Sequence, residues 1–228
     1  AGIRGMTDAL AEGIVRRPDE VAEYLDRMRR ETVRMASMVD DLLHLSRATS
    51  AGLRLRLAPL ALGEVVSDAV AAEAPAAAAA GVAVWADRPE KWPTVVGSDS
   101  ELTRVVRNLL ANAVRHTRAP GRVELSAGTR DGKAWLRVQD ACGGIPAADI
   151  VRVFDVGFRG GAARTPGQGS GAGLGLAIAR ALTEAHGGRL SVENHGPGCR
   201  FELVLPLAAA ARPDEDAPAP AVPGGPGG

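Results

Sequence analysis

The chain has few cysteines, few aromatic residues and no excess of charge of either sign. Its 228 residues include two cysteines, and aromatic residues make up 3% of the total. Cys142 and Cys199 form no CxxC and no other metal-ligand spacing, which argues against zinc and favours reduced thiols over a disulfide scaffold. Lys and Arg together number 27, as do Asp and Glu, so nothing in the net charge favours nucleic acid or an anionic membrane as the main partner.

Long apolar runs are also missing. No run approaches the roughly 18 residues that a membrane-spanning helix needs, and the opening AGIRGM lacks the regions of a signal peptide. We therefore expect a soluble, cytoplasmic segment without direct membrane contact. Because the chain begins with Ala in what reads as the middle of a helix, we also expect a longer parent protein. Whether that parent is anchored in the cell membrane is left open.

Residues 1–50 are predicted to form a helical hairpin. In its second helix, a stripe recurs at alternating steps of four and three residues, formed by Val21, Leu25, Met28, Thr32, Met35, Val39, Leu42 and Ser46. RRPDE at 16–20 supplies the break before this helix. Because so short a hairpin cannot bury its stripe alone, it needs either a second copy in a four-helix dimer or the chain's own globular domain. We favour the dimer.

Residues 55–207 alternate between helical and strand patterns. The predicted strands are near 54–58, 82–86, 123–129, 134–140, 189–194 and 199–206, and the predicted helices are about 62–80, 99–117, 147–154 and 174–185. The order predicts a mixed sheet with helices on one face, and Asp131-Gly132 predicts a tight turn between the middle strands. The last residues, 209–228, are dominated by Pro and Gly and are predicted to be disordered.

Three motifs in a fixed order point to a nucleotide site. NLLANAVRHT places Asn108 and Asn112 one helical turn apart, so both amide oxygens can face a cation or a water. DACGGIP offers a lone carboxylate, Asp140, as a hydrogen-bond acceptor for a flat polar donor. GSGAGLGLAIA offers backbone N–H groups that glycine lets approach phosphate oxygens. Each motif alone also fits an ordinary helix, turn or loop, but their joint order indicates a nucleotide and its metal ion.

These motifs resemble the ATP-binding domain of sensor histidine kinases, in the superfamily that also holds DNA gyrase B, the Hsp90 chaperones and MutL. The resemblance covers residues 55–207 closely and reaches the hairpin through MVDDLLHLSR. It implies an α+β fold, the two-layer α/β sandwich of the Bergerat (GHKL) type, preceded by the helical hairpin of a dimerisation and phosphoacceptor domain. A P-loop is excluded because no GK[ST] follows the glycines.

The resemblance further implies an acceptor histidine on the first helix of the hairpin. The four histidines are His44, His116, His186 and His195. None of them lies in the first helix or precedes the family's Glu/Asp-Leu-Arg pattern, so we expect residues 1–50 to be a partial hairpin without its acceptor. His44 is better interpreted as a solvated helix-face residue. His186 is expected to meet the last carbonyls of its helix, and His195 to lie in a hairpin turn.

Residue by residue, the resemblance assigns Asn112 to Mg²⁺ and Asn108 and Arg115 to catalysis. Asn108 stands where ATP-hydrolysing relatives carry a glutamate that activates water, so we expect slow spontaneous hydrolysis. Arg115 and His116 match positions near phosphate and ribose, although a solvated helix end accounts for both equally well.

The resemblance assigns Asp140 to the exocyclic amine of adenine, which favours ATP over GTP. Gly144 matches the second glycine of the family's DxGxG pattern, whereas Cys142 replaces the first and reads as a small buried filler. The other expected nucleotide contacts lie in and after a glycine-rich loop and are Arg159, Gly171, Gly173, Leu174 and Gly175. This loop, 160–171, is expected to be a mobile cover, positioned by the packing of Phe154 and Phe158.

The implied function is that of the catalytic region of a sensor histidine kinase. ATP with Mg²⁺ donates its γ-phosphoryl group to a histidine, which passes it to an aspartate of a response regulator. The expected partners are that regulator and a second copy of the chain, bound through the hairpin. Two alternatives are a non-catalytic module switched by ATP and a serine kinase of the anti-sigma type, against which the hairpin argues. A gyrase-like or chaperone-like ATPase is disfavoured by Asn108.

Overall fold

The structure is a computed structural model that describes residues 2–49, 55–87, 92–158, 160 and 173–208. The helices are α1 (Ile3–Ala11), α2 (Pro18–Thr49), α3 (Leu62–Ala79), α4 (Asp99–His116), α5 (Ala147–Ile150) and α6 (Gly175–Ala185). The strands are β1 (Ala58–Ala61), β2 (Val82–Ala86), β3 (Thr94–Gly97), β4 (Gly121–Arg130), β5 (Lys133–Gln139), β6 (Arg189–His195) and β7 (Gly198–Pro206). The predictions of a mobile cover at 160–171 and a disordered tail at 209–228 lie outside the described residues, apart from Gly160.

The first two helices form the predicted hairpin. α2 begins at Pro18, whose fixed φ suits the first helical turn and whose missing N–H is not needed there. Asp19 and Glu20 follow, where their negative charge is favoured by the partial positive charge of the helix N-terminus. α1 buries Met6. Local signals in the sequence therefore set the position of the break between the two helices.

The second helix packs on the globular domain at its C-terminal end. Leu45 belongs to the buried core cluster of that domain, and Asp41 forms an ion pair with Arg104 on α4. Several large apolar side chains of α2 are nevertheless exposed, namely Leu25, Val33, Met35, Val39, Leu42 and Leu43. One end of α2 thus follows the alternative of packing on the chain's own domain, and the rest of its apolar stripe stays available to another surface.

Five strands form a mixed sheet in the order β2-β4-β5-β7-β6. β2 and β4 run parallel, and the other neighbours are antiparallel. Asp131 and Gly132 both have positive φ, at 51° and 68°, as the predicted tight turn between β4 and β5 requires. β1 and β3 pair in a separate two-stranded sheet. The sequence did not predict β3 and placed β1 too early, because each short strand is defined by pairing with the other rather than by its own pattern.

One face of the five-stranded sheet carries the core, and α3, α4 and α6 cover it. Val138 lies opposite Phe201 and Leu136 opposite Leu203 in the pairing of β5 with β7. All four side chains are at most 1% exposed, and burying each stabilises the fold by roughly 1.5–3 kcal/mol. The fold is the expected two-layer α/β sandwich preceded by a helical hairpin.

The outer face of the sheet carries a cluster of charged side chains. Arg137 donates to Glu202 at 2.6 Å across the β5–β7 pair, and Arg130 donates to the same carboxylate at 3.0 Å. Burial acts to raise the pKa of Glu202, but the hydrogen bonds and charges of the two arginines outweigh it, so the pKa lies below its ordinary value. Glu202 therefore stays ionised between the two arginines, on the face of the sheet opposite the core.

The ring of His186 joins the end of α6 to the start of α4. Its Nδ1 lies 2.7 Å from the carbonyl oxygen of Leu182, in the role at the helix end that the sequence predicted. Its Nε2 accepts a hydrogen bond from the backbone N–H of Ser98 at 3.1 Å, a contact across 88 residues that the sequence did not predict. The ring thereby fixes the relative position of the two helices that carry most of the candidate site.

Candidate nucleotide-binding site

A cavity of about 1060 Å³ lies between α2, α4, the segment after β5 and the start of α6. The predicted site residues that line it are Asn108, Asn112, Arg115, His116, Asp140, Gly144, Gly173, Leu174 and Gly175. The fold therefore brings the three motifs to one place. The other two predicted contacts, Arg159 and Gly171, lie outside the described residues.

Asn108 and Asn112 lie on the side of α4 that lines the cavity. The Nδ2 of Asn108 is buried, and no residue that the structure describes accepts a hydrogen bond from it. A buried amide without a partner costs free energy, so this donor fits a site that a polar ligand completes. Asn112 is half-buried, and its amide oxygen is the hard type of ligand that Mg²⁺ prefers. The donor set fits a nucleotide with a divalent cation.

Asp140 is 4% exposed, and two backbone groups hold its carboxylate. The N–H groups of Cys142 and Cys199 both donate to Oδ1 at 3.0 Å. No described residue donates to Oδ2, which is therefore the oxygen that can accept a hydrogen bond from a ligand. Burial raises the pKa of Asp140 above its ordinary value, and the two hydrogen bonds and the nearby His116 offset only part of that rise.

Arg115 and His116 lie at the C-terminal end of α4 and line the cavity. Partial burial lowers the pKa of His116, the charge of Arg115 lowers it further, and Asp140 opposes both effects. His116 is therefore neutral at pH 7 and can both donate and accept hydrogen bonds. Both residues are exposed, so their position on the cavity wall is compatible with a binding role and with a solvated helix end.

The two cysteines are joined by a disulfide, so the expectation of reduced thiols is wrong. Cys142 and Cys199 lie 57 residues apart in sequence, and their Cα atoms are 6.4 Å apart, within the range that a disulfide spans. Their spacing does not reveal the pair, because the pairing of β5 with β7 is what brings them together. Cys142 is therefore a bonded part of the cavity wall rather than a separate buried filler.

Hydrogen bonds join the loop after β5 to the end of β6 and to the turn between β6 and β7. Gly143 donates its N–H to the carbonyl oxygen of Pro197 at 2.9 Å. Asn194 accepts from the N–H of Ile145 at 2.7 Å and donates to the carbonyl oxygen of the same residue at 2.9 Å. Gly144 has a φ of +88° and lies against Asn194, so a side chain at this position would be strained. Asn194 is a site residue that sequence reasoning missed.

Gly198 was also missed, although it shapes the site directly. A Cβ at Gly198 would lie 2.1 Å from the backbone oxygen of Asp140, so the start of β7 and the end of β5 approach each other as only glycine allows. Its one signal in the sequence is the turn NHGPGC. Gly198 therefore makes possible the close contact through which the N–H of Cys199 reaches Asp140.

The start of α6 closes the cavity from the other side. Gly173 has a φ of +73°, and a Cβ there would lie 2.8 Å from the backbone oxygen of Phe158. The first N–H groups of α6 stand at the cavity edge, where an anion is favoured. Phe158 lines the cavity, and Phe154 packs edge-on against Phe201 with ring centroids 6.3 Å apart. The two aromatic side chains thus hold the segment that leads into the predicted cover.

Within the described part of the chain, none of the helices combines the length and the apolar character needed to cross a bilayer.

Comparison with protein families agrees with this geometry. Residues 97–209 match the family model described as histidine kinase-, DNA gyrase B-, and HSP90-like ATPase. Residues 1–51 match the His Kinase A (phospho-acceptor) domain. The fold and the site therefore define an ATP-binding domain of this ATPase class, joined to the helices of a histidine kinase.

Individual relatives narrow the class. The chain is 37% identical over 208 residues to the probable sensor histidine kinase TcrY of Mycobacterium tuberculosis, which covers 91% of this chain and 42% of TcrY. The structure of full-length ShkA in complex with AMPPNP superposes with a TM-score of 0.70 at 30% identity, covering 85% of this chain and 40% of that one. The mycobacterial sensor histidine kinase MprB superposes with a TM-score of 0.60 at 29% identity, covering 66% of this chain and 98% of that structure.

The chain belongs to the sensor histidine kinases of two-component systems and contains their ATP-binding catalytic region. It spans less than half the length of TcrY.

Proposed function

We propose that the cavity holds ATP with Mg²⁺ and that the intact protein transfers the γ-phosphoryl group to a histidine for relay to a response-regulator aspartate. The observation that carries this proposal is the convergence of Asn108, Asn112, Asp140 and the glycines before α6 on one cavity. Asn108, the catalytic residue of the proposal together with Arg115, has no useful basicity. The site is therefore suited to positioning a phosphoryl group and not to activating water.

Each side chain has one proposed task. Asp140 accepts a hydrogen bond through Oδ2, Asn112 offers an oxygen to the cation, and Arg115 places a positive charge at the cavity wall. His116, Gly144, Gly173, Leu174 and Gly175 complete the nucleotide contacts, with Arg159 and Gly171 proposed from their match to the family motif. Mg²⁺ supplies charge neutralisation of the phosphates when it is bound.

The proposed macromolecular partners are a second copy of the chain and a response regulator. The match of residues 1–51 to the phosphoacceptor domain supports dimerisation, and so does the exposed apolar stripe on α2. Because ATP and response regulators are cytoplasmic, we assign this segment to the cytoplasm and make no assignment for the rest of the parent.

The nucleotide proposal is tested by Mg²⁺-dependent ATP affinity in titration calorimetry. Asn112→Ala removes the proposed cation ligand, so we expect the gain in affinity on adding Mg²⁺ to fall by roughly tenfold. Asp131→Asn is the control, because Asn tolerates the positive φ of the β4–β5 turn outside the cavity. Equal Mg²⁺ dependence in the Asn112→Ala and parent proteins would contradict the assignment.

The phosphotransfer proposal is tested by mixing. The chain alone should not autophosphorylate, since none of its four histidines lies in the first hairpin helix. With ATP and a separate polypeptide carrying an acceptor hairpin, that polypeptide should gain acid-labile, base-stable phosphate. Intact ATP binding without any such transfer favours the non-catalytic module, and phosphoserine on a partner favours the anti-sigma type of kinase.

A further inference from the structure

Two kinds of link join the segment that carries Asp140 to strand β7. Backbone N–H groups of Cys142 and Cys199 hold the Asp140 carboxylate at 3.0 Å each. The same two residues are joined through their side chains by the disulfide. The bond therefore fixes the separation of the two donors that orient the proposed base-recognition group.

We propose that Cys142 and Cys199 are a redox modification site, whose disulfide form holds the nucleotide site in its state of higher affinity. The inference rests on the proposed function, because it requires ATP to occupy the cavity. Disulfides in reducing compartments are usually transient and redox-sensing. We assign the segment to the cytoplasm. There, a disulfide in the wall of a nucleotide site is more consistent with a reversible switch than with a permanent structural cross-link.

Reduction changes the site because the two sulfurs must then separate to van der Waals contact. Cys199 is 1% exposed and lies in β7, between its neighbours β5 and β6, so it has no room to move. Cys142 is half-buried and is followed by Gly143 and Gly144, both at positive φ. Cys142 is therefore the residue that shifts, and its N–H withdraws from Asp140 as it does so.

Because Cys142 is more exposed than Cys199, an external thiol reacts with Cys142 first. A thiolate of an external dithiol attacks the Sγ of Cys142, the more exposed of the two cysteines that line the cavity, and Cys199 leaves as a thiolate that takes up a proton. The second thiol of the reagent then attacks the mixed disulfide, releases Cys142 and forms a cyclic disulfide. Each turnover reduces one protein disulfide and oxidises one dithiol, and a low-molecular-weight disulfide restores the bond by the reverse sequence.

The first experiment measures ATP affinity by calorimetry in the oxidised and the dithiol-reduced chain, with thiol titration to establish each state. We expect reduction to weaken ATP binding by roughly tenfold, which is the effect of losing about one charge-assisted hydrogen bond. Because the chain has only two cysteines, the reductant has no other target. Cys142→Ala and Cys199→Ala should each bind like the reduced chain and ignore the reductant, whereas Asp131→Asn should keep the full redox response.

The second experiment uses the reciprocal effect of ATP on the cysteines. If ATP prefers the disulfide form tenfold, saturating ATP must lower the reduction midpoint of the pair by about 30 mV, because binding and oxidation are linked. The midpoint is read from thiol titration in dithiol redox buffers with and without ATP. This measurement needs no variant, so it remains decisive if an alanine variant fails to fold.

Four results would overturn the inference. They are equal ATP affinity in the two redox states, no shift of the midpoint with ATP, two titratable thiols in the fully oxidised chain, and a loss of affinity accompanied by loss of the far-ultraviolet circular dichroism of the fold. Absence of ATP binding in both redox states would instead overturn the proposed function. The disulfide would then still be seen by thiol titration, so the two failures are distinguishable.

Discussion

The carboxylate of Asp140 presents one oxygen to the cavity, because the N–H groups of Cys142 and Cys199 occupy the other. This arrangement makes the residue a directional acceptor rather than a diffuse negative charge. Adenine carries a donor where guanine carries an acceptor, so an acceptor fixed in the protein discriminates between the two bases.

Asp140→Asn should therefore change the preference for a base as well as the affinity. The amide oxygen of Asn can still accept hydrogen bonds from the two N–H groups. Its Nδ2, however, would stand in place of the accepting Oδ2, so two hydrogen-bond donors, Nδ2 and the exocyclic amine of adenine, would face each other. We expect ATP affinity to fall by about 10- to 100-fold. We also expect the ratio of ATP affinity to GTP affinity to decrease, as measured by competition between the two nucleotides. Asp131→Asn serves as the matched control. An unchanged ratio of ATP to GTP affinity in Asp140→Asn would contradict the assignment.

The pH dependence of ATP binding follows from the raised pKa of Asp140. The ionised acceptor is fully present above this pKa, and protonation as the pH falls turns Oδ2 into a donor. Affinity should therefore be full well above this pKa and fall as the pH drops through it. His116 acts in the opposite direction, but its lowered pKa delays its charging to lower pH. Calorimetry across this range should give a shallower fall in affinity for Asp140→Asn than for the parent, and an equal slope in both proteins would contradict the role of this carboxylate.

Ion pairs join α4 to the hairpin and to a neighbouring helix of the globular domain. Arg104 on α4 lies 2.6 Å from Asp41 on α2, with both side chains about one-quarter exposed, at 26% and 24%. Arg107, also on α4, lies 3.3 Å from Glu73 on α3. One side of α4 thus carries the amides of the nucleotide site, and its other sides carry ion pairs to two neighbouring helices.

Asp41→Asn should loosen the C-terminal end of α2 without affecting the core. A partly exposed ion pair contributes up to about 1 kcal/mol, which corresponds to a roughly fivefold faster local opening. The rate of amide hydrogen exchange in the last turns of α2 measures this change. Asp40→Asn is the matched control, since no ion pair of Asp40 is seen among the described residues. Equal exchange in the two variants would show that the Asp41–Arg104 ion pair does not hold this end of α2.

Secondary structure was predictable where its signals are local. The spacing around Asn108 and Asn112, the break at Pro18 and the turn at Asp131-Gly132 all depend on residues within a few positions of one another, and the elements lie where these signals place them. β3 was missed because its partner strand, β1, lies more than 30 residues earlier. The approach of Gly198 to Asp140 was missed for the same reason.

The whole chain is stabilised by a covalent link as well as by its core. The disulfide joins residues 57 apart, and the closed segment contains α5, the predicted cover, α6 and β6. Closing so long a loop restricts the unfolded chain far more than the folded one.

Reduction should therefore lower the free energy of unfolding of the nucleotide-free chain by about 4 kcal/mol on the chain-entropy relation. Urea unfolding with and without a dithiol measures the difference as a shift of the midpoint. Cys142→Ala should unfold at the same urea concentration in both conditions, near the midpoint of the reduced parent. An identical midpoint for the oxidised and reduced parent would show that the bond does not restrict the unfolded chain.

The sequence by itself determined the helices, most of the strands, and the set of amide, carboxylate and glycine residues that mark an ATP site, because each depends on periodicity or on neighbours in the chain. Only the tertiary structure decided that Cys142 bonds Cys199, that Asp140 keeps one free oxygen, that His186 reaches Ser98, and that α2 docks through Leu45. These contacts join distant residues through the order and register of the sheet and the packing of helices on it, and a pattern of near neighbours carries no information about either.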